Sequence, residues 1–431
     1  MKYSIVTFGC RVNQADSLRL EEDLRAGGGV ETASSDADVV IVNTCSVTAT
    51  ADQGARQTIR RIARENPDAR IIATGCYATR CAAEVAALPN VVRVLRNDDK
   101  FNAVLLDRLT GASGSEITTA ARDGDGPCGA PLEPGIGGRT AFTIRLQTGC
   151  EERCSYCIIP STRGPSRSEP LDRLIAEMGR IAATGFKEVT IAGVHLGSYG
   201  RDLTPQSSLV DLLRALDRMQ GDLTFRISSL EPMDCGPEIV DLVARSGRFL
   251  PHFHLPLQHA SDRMLAAMQR PYTLDDYRRL VDGISARLPH AAIGTDMIAG
   301  FPGETGEDFE ANLDYLPFSP LTHLHVFPYS DRPGTVASSM GAKVHGSVIR
   351  ARGAQLRDIG RVLAARFREA QTGSVRPGLT LEDGTLVVTD NYLKVRIAPG
   401  IPRNTRVLVR VPTVESARPT AVQANAGGSI Q

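Results

Sequence analysis

The sequence contains no tryptophan, and its overall charge is zero. Because 49 basic residues balance 49 acidic ones, no global charge attracts a polyanion, and any nucleic-acid surface must be local. No apolar run approaches the roughly 18 residues that a membrane helix requires, and the N-terminal run Ser4–Phe8 is too short for a signal-peptide core. We therefore expect a cytoplasmic protein.

Dense cysteine pairing is also missing. Nine cysteines are spread over 431 residues, which is unlike the even, closely spaced framework of a small secreted domain. In a reducing compartment such thiols serve as metal ligands, as catalytic groups or as inert core residues. The chain is two to three times the usual domain length, so we expect several domains.

Residues 1–110 alternate short apolar segments with helical stretches. The apolar segments are Tyr3–Phe8, Val39–Val42, Arg70–Ala73 and Val91–Leu95, and helices are predicted near Asn13–Arg25, Asp52–Glu65 and Ala78–Ala87. Continuously apolar strands that alternate with helices are typical of an open parallel sheet covered on both faces. The first domain is therefore predicted to be of the α/β class.

The remaining residues divide into four segments. Residues 111–139 contain eight glycines and three prolines without apolar periodicity, which predicts a linker. Residues 140–372 carry six further strand and helix units, which predict an incomplete (βα)6 barrel followed by a basic helix. Residues 373–414 predict a small antiparallel β domain, and residues 415–431 predict a disordered tail.

Three cysteines with the spacing C-x3-C-x2-C follow the first predicted barrel strand: Cys150, Cys154 and Cys157. Three thiolates at this spacing are suited to hold an iron-sulfur cluster that leaves one iron open for a small molecule. A structural zinc site would need a fourth Cys or His, and none lies nearby in the sequence. The loop is predicted at the face of the barrel where such folds carry out chemistry.

Three further cysteines, Cys10, Cys45 and Cys76, each follow a predicted strand of the first domain. If these strands are parallel, the three thiols emerge at the same edge of the sheet, where open α/β sheets bind ligands. Each thiol lies at the start of a helix, where backbone N–H groups lower the pKa of a cysteine. The alternative is that three small side chains fill tight turns.

The motif Cys150 to Cys157, with Tyr156 before the last cysteine, resembles that of the radical S-adenosylmethionine enzymes. The resemblance implies a [4Fe-4S] cluster on Cys150, Cys154 and Cys157, which binds S-adenosylmethionine at its open iron and cleaves it to a 5'-deoxyadenosyl radical. It also implies cosubstrate contacts at the ends of the barrel strands. The candidates are Gly193, Ser228, Ser229, Glu231 and Gln258, each of which has an alternative role in the structure of the barrel.

From Cys10 to about Ile397 the chain is similar to the methylthiotransferases. By position, Cys10, Cys45 and Cys76 match the ligands of the second, auxiliary [4Fe-4S] cluster of this family. The segments Gly164–Ser168 and Gly193–Gly200 resemble the branch that acts on N6-threonylcarbamoyladenosine in tRNA. The implied reaction adds a methylthio group to C2 of this nucleoside, next to the anticodon.

In the implied mechanism the auxiliary cluster supplies sulfur, one S-adenosylmethionine methylates it and a second generates the radical. The two clusters must then face one cavity, so the N-terminal sheet edge is expected to cap the mouth of the barrel. The alternatives are the same reaction on N6-isopentenyladenosine, or a non-catalytic iron-sulfur protein that binds tRNA or senses redox state. The expected partners are tRNA, an electron donor and a sulfur or cluster-supply system, and the protein is expected to be a monomer.

Two further groups of residues have candidate roles. The basic helix and the β domain are suited to contact RNA phosphates, and Tyr392 to stack on a base, although both surfaces have an alternative reading as solvated faces. His195 follows a barrel strand near the cluster motif, and His252, His254 and His259 alternate around another strand. For the last three we expect structural or substrate-contact roles rather than a metal site.

Overall fold

The computed structural model describes residues 1–101, 134, 140–413 and the strand at 422–424. Apart from residue 134, the predicted linker at 111–139 lies outside the described residues. No described helix is both long enough and apolar enough to cross a membrane.

The N-terminal domain is a five-stranded parallel sheet with the order β2-β1-β3-β4-β5. Its strands are β1 Lys2–Thr7, β2 Val30–Glu31, β3 Val39–Thr44, β4 Arg70–Gly75 and β5 Val91–Val94. Its helices are α1 Arg11–Ala26, α2 Ala49–Glu65, α3 Cys76–Arg80 and α4 Ala82–Ala86. All six residues of the central strand β3 are buried, as expected for a strand covered on both faces. The predicted open parallel sheet is confirmed.

Two details of this domain differ from the prediction. The two-residue edge strand β2 was not predicted, because it is too short to produce a periodic pattern. The single helix predicted near Ala78–Ala87 is divided into α3 and α4 at Cys81, whose backbone leaves the helical region with φ −123° and ψ 49°.

The central domain is the predicted incomplete barrel. Its six parallel strands are β6 Phe142–Thr148, β8 Glu188–Gly193, β9 Thr224–Ile227, β10 His252–His254, β11 Ala292–Ala299 and β12 His323–Pro328. The short strand β7 Arg167–Ser168 runs antiparallel to β6. Strands β6, β8 and β9 form one sheet and β10, β11 and β12 another, and a bridge between Ser229 and His254 joins the two.

Helices alternate with the strands of the barrel. They are α5 Ile159–Arg163, α6 Leu171–Ala183, α7 Leu209–Asp217, α8 Pro237–Arg245, α9 Asp262–Ala267, α10 Leu274–Arg287 and α11 Gly306–Tyr315. The main hydrophobic core of the chain lies between these helices and the strands. After β12 come the short helix α12 Val336–Ser339 and the 26-residue helix α13 Gly346–Gln371, which packs against β12.

The N-terminal domain contacts the incomplete barrel at its first strand and beyond its last strand. Helix α1 packs against β6 and β8 on one side. On the other side, Arg332, which follows β12, forms an ion pair with Asp52 of α2 at 2.6 Å, and the Ala49 N–H donates to Ser330 Oγ at 2.9 Å. The N-terminal domain therefore spans the gap between the first and the last strand of the barrel.

The C-terminal domain is an antiparallel sheet with the order β15-β14-β13-β16-β17. Its strands are β13 Val375–Leu381, β14 Leu386–Thr389, β15 Lys394–Arg396, β16 Arg406–Arg410 and β17 Val422–Ala424. The prediction of disorder from residue 415 is wrong for the three residues of β17, which pair with the free edge of β16.

Candidate functional site

The three N-terminal cysteines lie together at the carboxyl edge of the parallel sheet. Cys10 precedes α1, Cys45 follows β3 directly, and Cys76 is the first residue of α3. Two side chains hold these loops in place. Asn13 Nδ2 donates to the carbonyl oxygens of Phe8 and Thr44, and Thr44 Oγ1 donates to the Thr74 carbonyl at 2.6 Å.

Two glycines allow the loops to approach this closely. Gly9 has φ +91°, and a Cβ at this position would lie 2.6 Å from the Sγ of Cys45. Gly75 has φ +93°, and a Cβ there would lie 2.2 Å from the Thr44 carbonyl oxygen. Any side chain at either position would push the cysteine loops apart, because both the contact and the backbone conformation exclude it.

The pKa of Cys45 differs from the sequence-based expectation. We expected helix N-termini to lower the pKa of these thiols, but burial raises the pKa of Cys45 to about 12, and the neighbouring Cys10 and Cys76 raise it further. Desolvation therefore outweighs the backbone N–H groups at this position. It follows that Cys45 is a protonated thiol in the cluster-free chain and loses its proton when a metal centre binds.

The second set of cysteines lies in the loop after β6. The loop begins at Gly149, which has φ +77° and whose Cβ position would fall 1.8 Å from the Pro165 carbonyl oxygen. The Cys150 N–H donates to the Gly164 carbonyl, and the Cys157 N–H donates to the Cys154 carbonyl, both at 3.0 Å. The loop is therefore folded back on the segment that follows α5.

Polar side chains contact the thiols of this second set. Arg270 donates to Cys154 Sγ at 3.0 Å and forms an ion pair with Glu231. His195 Nε2 lies 2.7 Å from Asp234 Oδ2. Burial alone would lower the pKa of His195, but the hydrogen bonds with Asp234 and Cys150 outweigh it and raise the pKa to about 10. The imidazolium of His195 is therefore a hydrogen-bond donor beside the cysteine loop.

Both cysteine sets fit iron-sulfur clusters better than single ions. Among the described residues, one set of three His, Cys, Asp or Glu ligand atoms lies within 4.8 Å of one another, and it contains no cysteine. A single ion requires its ligands to converge on one point, whereas each thiolate of a four-iron cluster binds a different iron. Three thiols that do not converge on one point are therefore suited to a cluster.

The converging set consists of His254, Asp296 and His325 on three adjacent barrel strands. Asp296 Oδ1 lies 2.9 Å from His254 Nε2 and 3.3 Å from His325 Nδ1. The other two histidines considered from the sequence are placed differently. His252 stacks on His323 with 6.0 Å between ring centres, while His259 lies elsewhere, 3.1 Å from Asn312.

The predicted cosubstrate residues all lie at carboxyl ends of barrel strands. Gly193 ends β8, and a Cβ there would lie 2.6 Å from Leu196 Cδ2. Ser228 and Ser229 directly follow β9, and Glu231 reaches Arg270 beside Cys154. Gln258 is buried with φ +72°, and its N–H donates to the Asp296 carbonyl at 2.8 Å.

A cavity of about 290 Å³ adjoins this region. It is lined by Glu151, Glu152, Ser166, His195, Ser198, Arg201 and Asp202. These side chains come from the cysteine loop and from the turns after α5 and β8. Both segments that suggested the threonylcarbamoyladenosine branch in the sequence, 164–168 and 193–200, therefore contribute to one cavity wall.

The residues that join α5 to the N-terminal domain carry no motif in the sequence. Arg163, the last residue of α5, donates to Asn13 Oδ1 at 2.5 Å and to Asp16 Oδ2 at 3.2 Å. Asn97 Nδ2 donates to the Thr162 carbonyl at 2.8 Å and lies 3.8 Å from Cys76 Sγ. The only signal in the sequence was that Arg163 lies six residues after Cys157. These contacts place α1 and Asn97 of the N-terminal domain against α5, and the expectation that the N-terminal sheet edge caps the mouth of the barrel stays a prediction.

Tyr392 does not have two free ring faces. Its ring lies 4.8 Å from the His252 ring and under the guanidinium of Arg226 at 4.9 Å, and its hydroxyl accepts from Arg11 at 3.2 Å. The ring therefore links the C-terminal domain to the barrel and to the N-terminal domain.

Two family models match the chain. Residues 2–96 match the family described as Uncharacterized protein family UPF0004, and residues 144–316 match the Radical SAM superfamily. The second match includes Cys150, Cys154 and Cys157, and the first includes Cys10, Cys45 and Cys76.

Curated relatives match nearly the whole chain. A threonylcarbamoyladenosine tRNA methylthiotransferase MtaB of Thermotoga maritima is 35% identical over 90% of this chain and 89% of its own length. The protein of the same name from Aquifex aeolicus is 33% identical over 92% of this chain and 96% of its own length. A tRNA-2-methylthio-N(6)-dimethylallyladenosine synthase of Chloroflexus aurantiacus is 34% identical over 78% of this chain and 71% of its own length.

Among solved structures, the radical S-adenosylmethionine methyltransferase TsrM from Kitasatospora setae is similar to this fold. The match has a TM-score of 0.55 at 16% identity and covers 78% of this chain and 73% of the other. At this identity the likeness concerns the fold alone.

Proposed function

Because the chain belongs to the radical S-adenosylmethionine tRNA methylthiotransferases, in the threonylcarbamoyladenosine branch, we propose that its six cysteines in two sets hold the two clusters that this reaction uses. The enzyme adds a methylthio group to C2 of N6-threonylcarbamoyladenosine next to the anticodon. The observation that carries the proposal is that α5, which follows the second cysteine set, contacts Asn13 and Asn97 beside the first set.

We assign the radical cluster to Cys150, Cys154 and Cys157, and the auxiliary cluster to Cys10, Cys45 and Cys76. When bound, the radical cluster supplies the electron that cleaves S-adenosylmethionine, and the auxiliary cluster supplies the sulfur. The residues of the chain fit both clusters, since each set offers three thiols. The glycines beside the cysteines allow the loops to approach one another closely.

Polar side chains orient the loop that carries the radical cluster. Arg270 bonds Cys154 and Glu231 together, and His195 is hydrogen-bonded to Asp234. Both cations are buried, so these hydrogen bonds are only weakly screened by solvent. We propose that Gly193, Ser228, Ser229, Glu231 and Gln258 form the cosubstrate site, because all five lie at strand ends on this side of the barrel.

The substrate is a tRNA, and the proposed site of the reaction is the cytoplasm, where tRNA is available. We further propose that the protein acts as a monomer with an external electron donor and a sulfur or cluster-supply system. We also propose that the chain is divided into domains at residues 1–110, 140–372 and 373–414.

The test is anaerobic reconstitution with iron and sulfide, followed by reaction with S-adenosylmethionine, dithionite and tRNA. Two tRNA preparations carry either N6-threonylcarbamoyladenosine or N6-isopentenyladenosine, and nucleoside mass spectrometry detects the methylthio product. We expect the mass gain only on the threonylcarbamoyl nucleoside. A gain only on the isopentenyl nucleoside would move the enzyme to the other branch, and RNA binding without cosubstrate cleavage would favour a non-catalytic protein.

Single-cysteine variants separate the two clusters in this assay. Cys45→Ala should retain cosubstrate cleavage and lose the methylthio product, whereas Cys154→Ala should lose both. Cys81→Ala is the matched control, because this thiol lies at the break between α3 and α4 and belongs to neither set. Loss of cosubstrate cleavage in Cys45→Ala would contradict the assignment of two separate clusters.

A further inference from the structure

Three neighbouring barrel strands place side chains with ligand atoms on the same face. His254 lies on β10, Asp296 on β11 and His325 on β12, and Asp296 is paired directly with His325 across the two strands. Successive side chains of a strand point to opposite faces. The strand neighbours that pack in the main hydrophobic core are Phe253, Met297 and Leu324. His254, Asp296 and His325 therefore face away from that core, toward the inside of the incomplete barrel.

The three ligand atoms are close enough to bind one ion. Asp296 Oδ1 lies 2.9 Å from His254 Nε2 and 3.3 Å from His325 Nδ1, and all three atoms lie within 4.8 Å of one another. Two ligands that are each about 2.0–2.1 Å from a zinc ion lie roughly 2.9 Å apart at a right angle and about 3.4 Å apart at the tetrahedral angle. Both measured distances fall within this range, so an ion fits with little movement of the side chains.

The pocket between these side chains is covered on one side and open on the other. The side chains of His254 and Asp296 are 11% and 24% exposed, whereas that of His325 is 57% exposed. The exposed edge gives an ion a path of entry. Three protein ligands also leave a coordination position for water or for an oxygen atom of a bound molecule.

The simplest alternative is a carboxylate that is hydrogen-bonded to two imidazoles without an ion. A carboxylate offers two oxygens with about four lone-pair sites, so two N–H donors have no need to share one oxygen. Here both imidazole nitrogens approach the same oxygen, Asp296 Oδ1. A shared ion requires this convergence, whereas hydrogen bonding alone does not.

Two further imidazoles line the same face. The ring centre of His323 lies 6.1 Å from that of His254 and 5.5 Å from that of His325. Gly294 admits this ring, because a Cβ at position 294 would lie 2.0 Å from His323 Nε2. His252 is 8% exposed, and its Nδ1 has no hydrogen-bond partner among the described residues. The face therefore carries more imidazole nitrogen than the neighbouring hydrogen-bonding groups satisfy, and imidazole nitrogen is the commonest metal ligand in proteins.

We propose that His254, Asp296 and His325 form a binding site for one divalent transition-metal ion, with a coordination position open to an oxygen ligand inside the barrel. Two imidazoles and one carboxylate suit zinc and ferrous ions, and zinc binds such a set more tightly. The site contains no cysteine, so it is separate from both cluster sites and does not rest on the proposed function. The sequence favoured a structural or substrate-contact role for His254, because its partner Asp296 is 42 positions away.

The test uses the full-length chain after anaerobic reconstitution with iron and sulfide and removal of unbound iron. Isothermal titration calorimetry measures the binding of Zn2+, and X-ray absorption at the zinc edge identifies its ligands. We expect about one zinc ion per chain with nitrogen and oxygen ligands at about 2.0–2.2 Å, whereas zinc on a thiolate gives a distance of about 2.3 Å. The iron of the clusters does not contribute to the zinc edge.

Variants of the ligands identify the site. H325A removes the most exposed ligand, so the fold should be retained, which circular dichroism checks. We expect this variant to weaken zinc binding at least about a hundredfold, because the loss of an outer-shell partner alone weakens metal binding about 10–100-fold. D296N removes the charge, keeps the shape and should act in the same direction. H345A is the matched control and should bind zinc as the parent does, because His345 is an exposed imidazole next to α13 that bonds Ser347.

Three results would overturn the site: no zinc binding by the parent, equal zinc binding by the parent and H325A, or zinc–sulfur distances alone at the zinc edge. If D296N does not fold, H325A decides. If the clusters do not load, zinc on the empty cysteines gives the same zinc–sulfur distances in the parent and in H325A, and the difference between the two proteins still reports the site at His325. That result would contradict the cluster assignment and leave the metal site standing.

Discussion

Replacing Asp16 with asparagine should destabilise the protein more strongly than any other single carboxylate change in α1. The carboxylate is completely buried and contacts Lys100, Arg145 and Arg163, two of which belong to the barrel. The D16N substitution leaves the shape almost unchanged but removes the negative charge. Three buried cations then face one another without a shared anion.

The magnitude follows from this geometry. Removing one partner of a buried ion pair costs about 3–5 kcal/mol, because the remaining charge is left unpaired in a medium of low dielectric constant. With a urea m-value of about 3 kcal/mol per M, this cost lowers the unfolding midpoint by roughly 1–1.7 M. The exposed Asp172 in the first turn of α6 is the control, and D172N should cost at most about 1 kcal/mol.

The assay is urea denaturation followed by circular dichroism, since the chain has no tryptophan to report by fluorescence. The contacts with the three cations lower the pKa of Asp16 far below its usual range despite its burial. Because the pKa is lower in the folded state, the stabilisation is present above the unfolded value of about 3.9 and is lost as the pH falls through the folded value. The contribution of the Asp16 charge to the difference between wild type and D16N should therefore shrink as the pH falls below about 4. A midpoint change no larger than that of D172N would refute the reasoning.

Three further predictions concern the clusters, the buried lysine and the RNA surface. Cys10→Ala should lower the iron content by about half while cosubstrate cleavage continues, whereas Cys150→Ala should abolish cleavage. If the two variants had equal effects on iron content and on cleavage, two independent sites would be contradicted. Burial lowers the pKa of Lys100 to about 8, so the stability of wild type relative to K100M should rise by about 3 kcal/mol between pH 8 and 10.5, and urea midpoints at several pH values check this rise. Replacing the exposed Arg357 and Arg361 of α13 with glutamine should reduce the slope of log Kd for tRNA against log salt by about one to two; an unchanged slope would identify this helix face as merely solvated.

The fold could be predicted from the sequence to the level of its three domains. Strand β3 reads as an apolar run because both of its faces are buried, and the six barrel units repeat the same pattern. The two-residue strand β2 and the strand β17 were not predictable in this way, since their existence depends on a neighbouring strand that offers free N–H and C=O groups. The break between α3 and α4 depends on a single backbone conformation at Cys81.

The cysteines of the candidate site were visible because their spacing and their position after strands have a direct chemical meaning. Arg163 and Asp16 were not, because they are 147 positions apart in sequence and neither follows a motif. The low pKa expected for Cys45 was wrong, since burial depends on packing that the sequence pattern does not report. Contacts between domains and the degree of burial were therefore the parts of the site that required the three-dimensional structure.

The buried charges at α1 also bear on the order in which the protein is assembled. Asp16 receives one cation from its own domain, Lys100, and the other two from residues that the ribosome adds later, Arg145 and Arg163. A nascent N-terminal domain that has emerged only to residue 101 already holds its cysteine loops through Asn13 and Thr44 but leaves Asp16 with one of its three cations. The charge cluster around Asp16 is therefore complete only after β6 and α5 have emerged and docked, and this part of the domain interface forms late in synthesis.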